Sequence, residues 1–235
     1  MERVPEPELM EELEQAKAYA GADFEEPHAR VIELFDAQFP GAEVNGRILD
    51  LGCGPGDVSF RFARRFPGAE IMGIDGSAAM IALAEERRMR EPLIAGRLTF
   101  IRGLLQSGAV VPPGPYEVIL STSLLHHLHS PGDLWEVVRR YASPGTKIFV
   151  VDLLRPLNPG RAREIVEKYC GGEPEVLKRD FYQSLLAAFE PAEVREQLGE
   201  AGLPELSVRV VSDRHFMVHG VRRSADHPAA AGRTE

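Results

Sequence analysis

A glycine-rich run, residues 49–57 with the sequence LDLGCGPGD, is the first group that could do chemistry. Glycine lets a backbone approach a ligand closely, and three glycines in five residues exceed what a tight turn needs. In the dinucleotide fingerprint G-x-G-x-x-G, a pyrophosphate rests on the following helix N-terminus. The spacing here is G-x-G-x-G, and Asp57 would set a carboxylate against that pyrophosphate. With Asp50 just before the loop, the run favours a cationic ligand over a nicotinamide dinucleotide.

A third carboxylate, Asp75, ends the apolar run 70–74 and lies 19 residues past Gly56. An acid at the end of a second strand can accept hydrogen bonds from ribose hydroxyls. Ser77 follows and is well suited to cap the next helix, so Asp75 is not needed for that role. The position of Asp75 therefore predicts binding of a nucleoside ribose.

The second chemical group is the run 121–130, STSLLHHLHS. A neutral imidazole can accept a proton from an attacking hydroxyl or nitrogen near pH 7. His126 and His127 are therefore the candidate catalytic residues, and at least one of the run's histidines could equally be a structural residue bonded to backbone. Adjacent histidines point in different directions, and no cysteine or paired acid lies at ligand spacing, so the sequence predicts no metal site.

Alternating strands and helices must position these groups. Apolar runs predict five strands, at 48–51, 70–74, 98–101, 116–120 and 147–152. Their βαβα order predicts an α/β fold, a Rossmann-like doubly wound sheet that is mostly parallel with helices on both faces. Ligands bind such sheets where the strand order reverses, here between the first and fourth strands. The runs 206–211 and 215–219 predict an antiparallel hairpin at one edge of the sheet.

The remaining segments predict additions to one core. We expect an N-terminal helical lid at 1–41 and a Rossmann-like domain at 42–221, with a helical insertion at about 157–189. Residues 222–235 are expected to form a disordered tail. A length of 235 residues fits one such core with additions rather than two independent domains.

Composition excludes several classes of protein. There are 36 acidic and 27 basic residues, and the net charge of −9 argues against nucleic-acid binding. The sequence has no run of 18 consecutive apolar residues, so it predicts no membrane-spanning helix. The two cysteines and an acidic N-terminus without an apolar core favour a reducing, cytoplasmic location. The oligomeric state is not predicted.

The segment LDLGCGPGD closely resembles the first motif of class I S-adenosylmethionine-dependent methyltransferases. That cofactor carries a sulfonium and an ammonium group and no phosphate, in agreement with a cationic ligand. The resemblance implies that the motif's acid and glycine backbone hold the amino-acid end, and that the acid after the second strand holds the ribose. The implied cofactor-binding residues are Asp50, Gly52, Cys53, Gly54, Asp57, Asp75, Gly76, Gly103, Leu104 and Ser121.

One stretch departs from the family pattern. Residues 100–106, FIRGLLQ, resemble a family segment that often has an acid where this chain has Leu104. That acid commonly receives the adenine amino group, so adenine must be held here by the backbone of 103–105, by Gln106 or by apolar stacking. The histidine run resembles the family's fourth motif, which in many small-molecule methyltransferases contains His-His.

The resemblance also implies where the acceptor substrate binds. N-terminal helices often fold over the cofactor in this family, and side chains after the fifth strand point into the same crevice. The candidate substrate residues are Tyr19, Phe24, His28, Asp152 and Arg155. We expect methyl transfer to an O, N, S or C nucleophile of a small molecule in a closed pocket. The alternatives are an enzyme using the same cofactor without methyl transfer, a NAD-type oxidoreductase and a non-catalytic binding module.

Overall fold

Seven strands form one sheet in the part of the chain that the computed structural model describes, residues 1–6, 16, 19, 21, 25–107 and 111–223. Strands β1 to β5 run parallel, and the last two strands add in antiparallel fashion. The strands are β1 (Arg47–Leu51), β2 (Glu70–Asp75), β3 (Leu98–Arg102), β4 (Val118–Thr122), β5 (Lys147–Leu153), β6 (Ser207–Val210) and β7 (His215–Val221). Their order is β3-β2-β1-β4-β5-β7-β6, so the predicted fold class is confirmed.

The strand order reverses between β1 and β4, and both strands are buried almost throughout. Burial on both faces is what a central parallel strand with helices above and below requires. The register pairs Leu51 with Ser121, so the glycine-rich run and the histidine run leave the sheet side by side. The two chemical groups of the sequence therefore meet at one crevice.

Helices cover both faces of the sheet. They are α1 (Glu25–Gln38), α2 (Asp57–Arg65), α3 (Ala78–Arg90), α4 (Pro92–Ala95), α5 (Gly132–Tyr141), α6 (Pro159–Cys170), α7 (Glu175–Ala187) and α8 (Pro191–Glu200). Ser77 caps α3 as predicted, because its hydroxyl accepts from the amide of Met80 at 3.3 Å. The segment predicted as an insertion forms α6 and α7, which pack together through Ala162, Ile165 and Leu185.

Part of the predicted lid belongs to the core of the sheet. Phe35 of α1 is fully buried and lies edge-on to Phe62 of α2 and Phe149 of β5, with ring centroids 5.1 and 5.3 Å apart. Aromatic pairs in this arrangement contribute about 0.5–1.5 kcal/mol beyond the area they bury. The C-terminal half of segment 1–41 is thus a fixed helix of the domain.

Strand β4 begins two residues later than the apolar run predicts, at Val118 rather than Tyr116. Tyr116 is buried in the preceding loop, and its hydroxyl donates to the carbonyl of Pro112 at 2.6 Å. Because its ring is buried, it continues the apolar pattern without belonging to the strand. Of the predicted tail, residues 224–235 lie outside the described residues.

None of the helices in the described part of the chain combines the length and the apolar character that crossing a membrane demands.

Candidate active site

The glycine loop after β1 uses its three glycines for different purposes. Gly52, Gly54 and Gly56 all have positive φ angles, of 71°, 52° and 85°. A Cβ atom on Gly52 would lie 2.8 Å from the Leu124 side chain, and one on Gly56 would lie 2.9 Å from the Phe100 ring. A Cβ on Gly54 would meet nothing within 4 Å. The middle glycine therefore faces open space at the crevice, while its neighbours are required by packing.

Asp75 at the end of β2 anchors this loop. One of its carboxylate oxygens accepts from the amide of Gly54 at 2.9 Å, and the other accepts from the amide of Ser77 at 2.8 Å. A carboxylate has about four lone-pair positions, so both oxygens can still accept from ribose hydroxyls. Burial raises the pKa of Asp75 against the effect of these two amides. The ribose role of Asp75 stays a prediction, and its two backbone contacts leave room for it.

Asp50 is fully buried with half of its carboxylate satisfied. The hydroxyl of Ser59 donates to Oδ2 at 2.5 Å, whereas Oδ1 has no hydrogen-bond partner among the described residues. Burial raises the pKa of Asp50 to about 7, although the Ser59 hydrogen bond opposes this. A buried polar atom without a partner costs about 1–3 kcal/mol. A bound ammonium group is a suitable partner, so this site fits the amino-acid end of S-adenosylmethionine.

Asp57 is held by two arginines and a histidine. Oδ2 lies 2.7 Å from His28 Nδ1 and 2.7 Å from Arg61 Nε, and Oδ1 lies 2.6 Å from an amino nitrogen of Arg87. Burial would raise the pKa of Asp57, but these hydrogen bonds outweigh burial and hold it well below its usual range. The sequence argument that Asp57 repels a pyrophosphate does not hold in the folded chain, because the three partners neutralise it.

The other predicted cofactor residues line the ends of β1 to β4. Ser121 is buried and donates to the carbonyl of Leu51 at 2.7 Å, which ties β4 to β1 below the loop. The amide of Gly103 donates to the carbonyl of Asp75 at 2.9 Å. The carbonyl of Gly76 accepts from Arg102, and Leu104 is about half exposed. Cys53 is buried, and burial raises its thiol pKa well above the usual value.

His126 and Asp152 form a buried pair beside the loop. His126 Nδ1 lies 2.6 Å from Asp152 Oδ1, and Asp152 also accepts from the amides of Leu125 at 2.7 Å and Leu153 at 2.8 Å. Burial alone would lower the pKa of His126, but the carboxylates of Asp152 and Glu6 outweigh it and raise the pKa. Asp152, predicted as a substrate residue, is thus engaged by His126 and two backbone amides, and it orients the imidazole.

Glu6 also lies at this end of the site, although no pattern in the sequence distinguishes it. Its Oε1 lies 3.6 Å from His126 Nε2 and 3.2 Å from His127 Nδ1, and it accepts from the Ser184 hydroxyl at 2.9 Å. Burial raises the pKa of Glu6. The residue is one acid in a strongly acidic N-terminal stretch, so only the tertiary structure distinguishes it.

Arg3 fixes the N-terminal residues over the histidine run. Its guanidinium donates to the carbonyls of Ala187 at 2.6 Å, His126 at 2.9 Å and Leu128 at 3.0 Å. These bonds to charged nitrogen are the stronger kind of hydrogen bond. Residues 1–6 therefore lie against the end of the crevice that the histidine run forms, and Glu6 is among them. We call this the acceptor end, because the acceptor substrate is expected there.

The other predicted substrate residues differ in what they contact. Burial raises the pKa of Tyr19 to about 12, and the carboxylates of Asp75, Asp57 and Asp152 add to the shift. His28 is engaged by Asp57, as described above. Arg155 is buried in ion pairs with Glu190 at 3.1 Å and Glu193 at 2.8 Å, which does not support direct substrate contact. Phe24 lies outside the described residues.

Comparison with known proteins agrees with this geometry. Residues 48–145 match the family described as "Methyltransferase domain". The chain is 28% identical over 111 residues to the mitochondrial ubiquinone biosynthesis O-methyltransferase of Schizosaccharomyces pombe, covering 47% of this chain and 39% of that protein. It is 42% identical over 64 residues to a trans-aconitate 2-methyltransferase of Variovorax paradoxus, covering 27% and 24%. The chain thus spans well under two thirds of these relatives.

Solved structures share the fold at low sequence identity. A SAM-dependent methyltransferase from Aquifex aeolicus is 17% identical with a TM-score of 0.61, covering 88% of this chain and 97% of that one. Phosphoethanolamine N-methyltransferase 2 of Haemonchus contortus, in complex with S-adenosyl-L-methionine, is 16% identical with a TM-score of 0.63, covering 83% and 53%. The sheet order and glycine loop define a Rossmann-like methyltransferase fold. The family match and the shared fold support the prediction from the first motif, a class I S-adenosylmethionine-dependent methyltransferase.

Proposed function

We propose that this protein binds S-adenosylmethionine and transfers its methyl group to a nucleophile on a small molecule. The observation that carries the proposal is the fully buried carboxylate of Asp50, which has one oxygen unpartnered among the described residues and lies two residues before the glycine loop. A buried anion needs a positive partner, and a pyrophosphate cannot provide one. The cofactor's ammonium group can.

The chain's own residues would divide the cofactor between them. Asp50 and the backbone of the glycine loop would hold the amino-acid end, Asp75 the ribose, and the backbone at 103–105 the adenine. When bound, S-adenosylmethionine supplies a methyl group already activated by a positively charged sulfur. The protein then contributes mainly alignment and exclusion of water, and such positioning can lower a barrier by about 7–11 kcal/mol.

The acceptor's proton would leave at the histidine end of the crevice. Asp152 accepts from Nδ1 of His126, so the lone pair of a neutral imidazole lies on Nε2, on the side of Glu6 and the N-terminal residues. His126 is thus the side chain best placed to accept that proton in the metal-free protein. A general base of this kind contributes roughly 10²–10⁴-fold in rate.

A small acceptor suits the enclosure of this end. The bonds of Arg3 to the carbonyls of Ala187, His126 and Leu128 hold residues 1–6 against it. Helix α7 closes it through Ser184, which contacts Glu6. Contacts from the N-terminal residues and from α7 at this end support the small-molecule acceptor expected from the sequence.

Binding of the cofactor is the first test. Calorimetric titration with S-adenosylmethionine, S-adenosylhomocysteine and NAD should give saturable binding of the first two and none of NAD. Incubation with methyl-labelled cofactor and a metabolite extract, followed by mass spectrometry, should then reveal a labelled product. Binding of NAD alone would refute the proposal. Binding of S-adenosylmethionine with consumption but no methylated product would favour an enzyme that uses the cofactor differently.

A further inference from the structure

Glu6, His126 and His127 bring three metal-ligand atoms together at the acceptor end. Glu6 Oε1 lies 3.2 Å from His127 Nδ1 and 3.6 Å from His126 Nε2, and the three side chains offer ligand atoms within 4.8 Å of one another. A tetrahedral zinc site with bonds of about 2.0–2.2 Å separates its ligand atoms by roughly 3.3–3.6 Å. Both distances from Glu6 are therefore close to those of a metal site without any rearrangement.

The surroundings of these ligands resemble those of a metal centre. A metal-bound histidine almost always donates its other ring N–H to a carboxylate or carbonyl, which fixes the tautomer and the ring orientation. Asp152 provides this contact at 2.6 Å from His126 Nδ1 and is itself held by two backbone amides. The Ser184 hydroxyl holds Glu6 in the same way. Each of these two ligands thus has a fixed partner behind it.

The charges at this end also favour a cation. Two buried carboxylates, Glu6 and Asp152, converge on one imidazole. With Nδ1–H donated to Asp152, a neutral His126 sets the lone pair of Nε2 towards a carboxylate oxygen 3.6 Å away. Arg3 is close by, but its guanidinium donates to three backbone carbonyls. Either a proton on His126 or a metal ion between Nε2 and Glu6 would satisfy this arrangement.

We propose that Glu6, His126 and His127 bind one divalent cation of the zinc class. Imidazole ligands favour zinc, cobalt, nickel or copper over magnesium and calcium. Three protein ligands with a fourth position open is the pattern of catalytic zinc sites. The sequence argued against a metal because no acid lies at ligand spacing, and the N-terminal segment supplies that acid through the fold.

A cation here would change how the acceptor is activated. It would hold the acceptor's oxygen or nitrogen at the open position and lower its pKa, so that the acceptor's proton is released to water instead of to His126. The site would connect the N-terminal residues to catalysis, since Glu6 is the ligand they contribute. The metal proposal does not depend on the cofactor, so an experiment can refute metal binding without refuting methyl transfer, and the reverse.

Cobalt(II) gives a direct readout that needs no substrate. The tag-free full-length protein, stripped with a chelator and dialysed, is titrated with Co²⁺ and followed by visible absorption. We expect one equivalent to bind saturably with the intense bands of a four- or five-coordinate site, and Zn²⁺ to displace it. Glu6→Gln keeps the shape of the side chain and should weaken Co²⁺ binding at least ten-fold.

Two further variants sharpen the test. Asp152→Asn should weaken binding about 10–100-fold, because a neutral amide oxygen is a weaker acceptor than a carboxylate for the Nδ1–H that orients His126. His219→Asn on β7 is the control, since that ring is outside the cluster, and it should bind Co²⁺ like the wild type. Circular dichroism and cooperative melting verify that each variant is folded. Absence of saturable Co²⁺ binding in the wild type, or equal affinity in Glu6→Gln, would overturn the metal site.

Discussion

The cofactor end and the acceptor end of this crevice are built in opposite ways. Most of the cofactor end comes from one stretch of chain, between Asp50 and Ser77, where three glycines have positive φ angles. The acceptor end joins Glu6, His126, Asp152 and Ser184 from four distant segments. A short motif can therefore encode the first, whereas only the complete fold produces the second.

The two ends also differ in how their buried carboxylates are satisfied. Asp152 accepts three hydrogen bonds, and although burial acts to raise its pKa, His126 and the two amides lower it overall. Asp50 accepts one hydrogen bond and has a pKa raised to about 7 by burial. The charge of a fully paired acid is already stabilised by the protein before any ligand binds. An acid that is half paired is suited to receive a cationic ligand.

Replacing His126 should produce the largest difference between the effect on turnover, which depends on the acceptor end, and the effect on cofactor affinity, which depends on the cofactor end. With His126→Asn, turnover should fall roughly 10²–10⁴-fold, because the acceptor loses its proton acceptor or its metal ligand. Affinity for S-adenosylmethionine should stay within about two-fold, since the cofactor end is built separately. Turnover is measured as S-adenosylhomocysteine formed with the identified acceptor, and affinity by calorimetry. His219→Asn serves as the control. Unchanged turnover in a folded His126→Asn variant would exclude both roles.

Asp75→Ala should have the complementary effect on cofactor affinity. Hydrogen bonds to a charged group are worth about 1.5–3 kcal/mol, and the variant also releases the amides of Gly54 and Ser77. The dissociation constant for S-adenosylmethionine should therefore rise about ten-fold or more. Asp36→Ala, which removes an acid paired with Arg65 at the surface, is the matched control. Equal affinity in the two variants would contradict the ribose role.

Asp57→Asn tests whether every acid of the first motif serves the cofactor. The substitution removes the negative charge that His28, Arg61 and Arg87 share, and it should reduce the free energy of unfolding by about 1–2 kcal/mol. Because its pKa is lowered on folding, this contribution is present above about pH 4 and is lost as the pH falls further.

Urea unfolding at pH 7 and pH 3 measures both expectations for Asp57→Asn, and calorimetry should show cofactor affinity within about three-fold of the wild type. A large loss of affinity at unchanged stability would instead return Asp57 to the cofactor, as the resemblance to the family's motif implied.

Much of the cofactor end could be predicted from sequence because its signals are local. The glycine spacing, the acid after β2 and the cap at Ser77 each depend on neighbouring residues, and the parallel sheet follows from their order. Prediction from neighbouring residues fails for Asp57, because its partners come from three separate helices, α1, α2 and α3. The same failure is greater for Glu6, because no neighbouring residue distinguishes this acid from the other acids of the N-terminal stretch.

The protonation of Asp50 gives the smallest and most specific effect. Its raised pKa means that the folded chain keeps a proton that the unfolded chain has released between about pH 4 and pH 7. Stability should therefore decrease as the pH rises through that window, and Asp50→Asn should remove this dependence.

An ammonium group bound to Asp50 would favour the charged carboxylate. Binding of S-adenosylmethionine at pH 6 should then release up to one proton, measured by calorimetry in buffers with different ionisation enthalpies. Asp75 also has a raised pKa, so the comparison between wild type and Asp50→Asn isolates the contribution of Asp50. If both proteins release the same number of protons, the unpartnered oxygen of Asp50 does not meet the cofactor, and the contrast between a half-paired and a fully paired end loses its functional meaning.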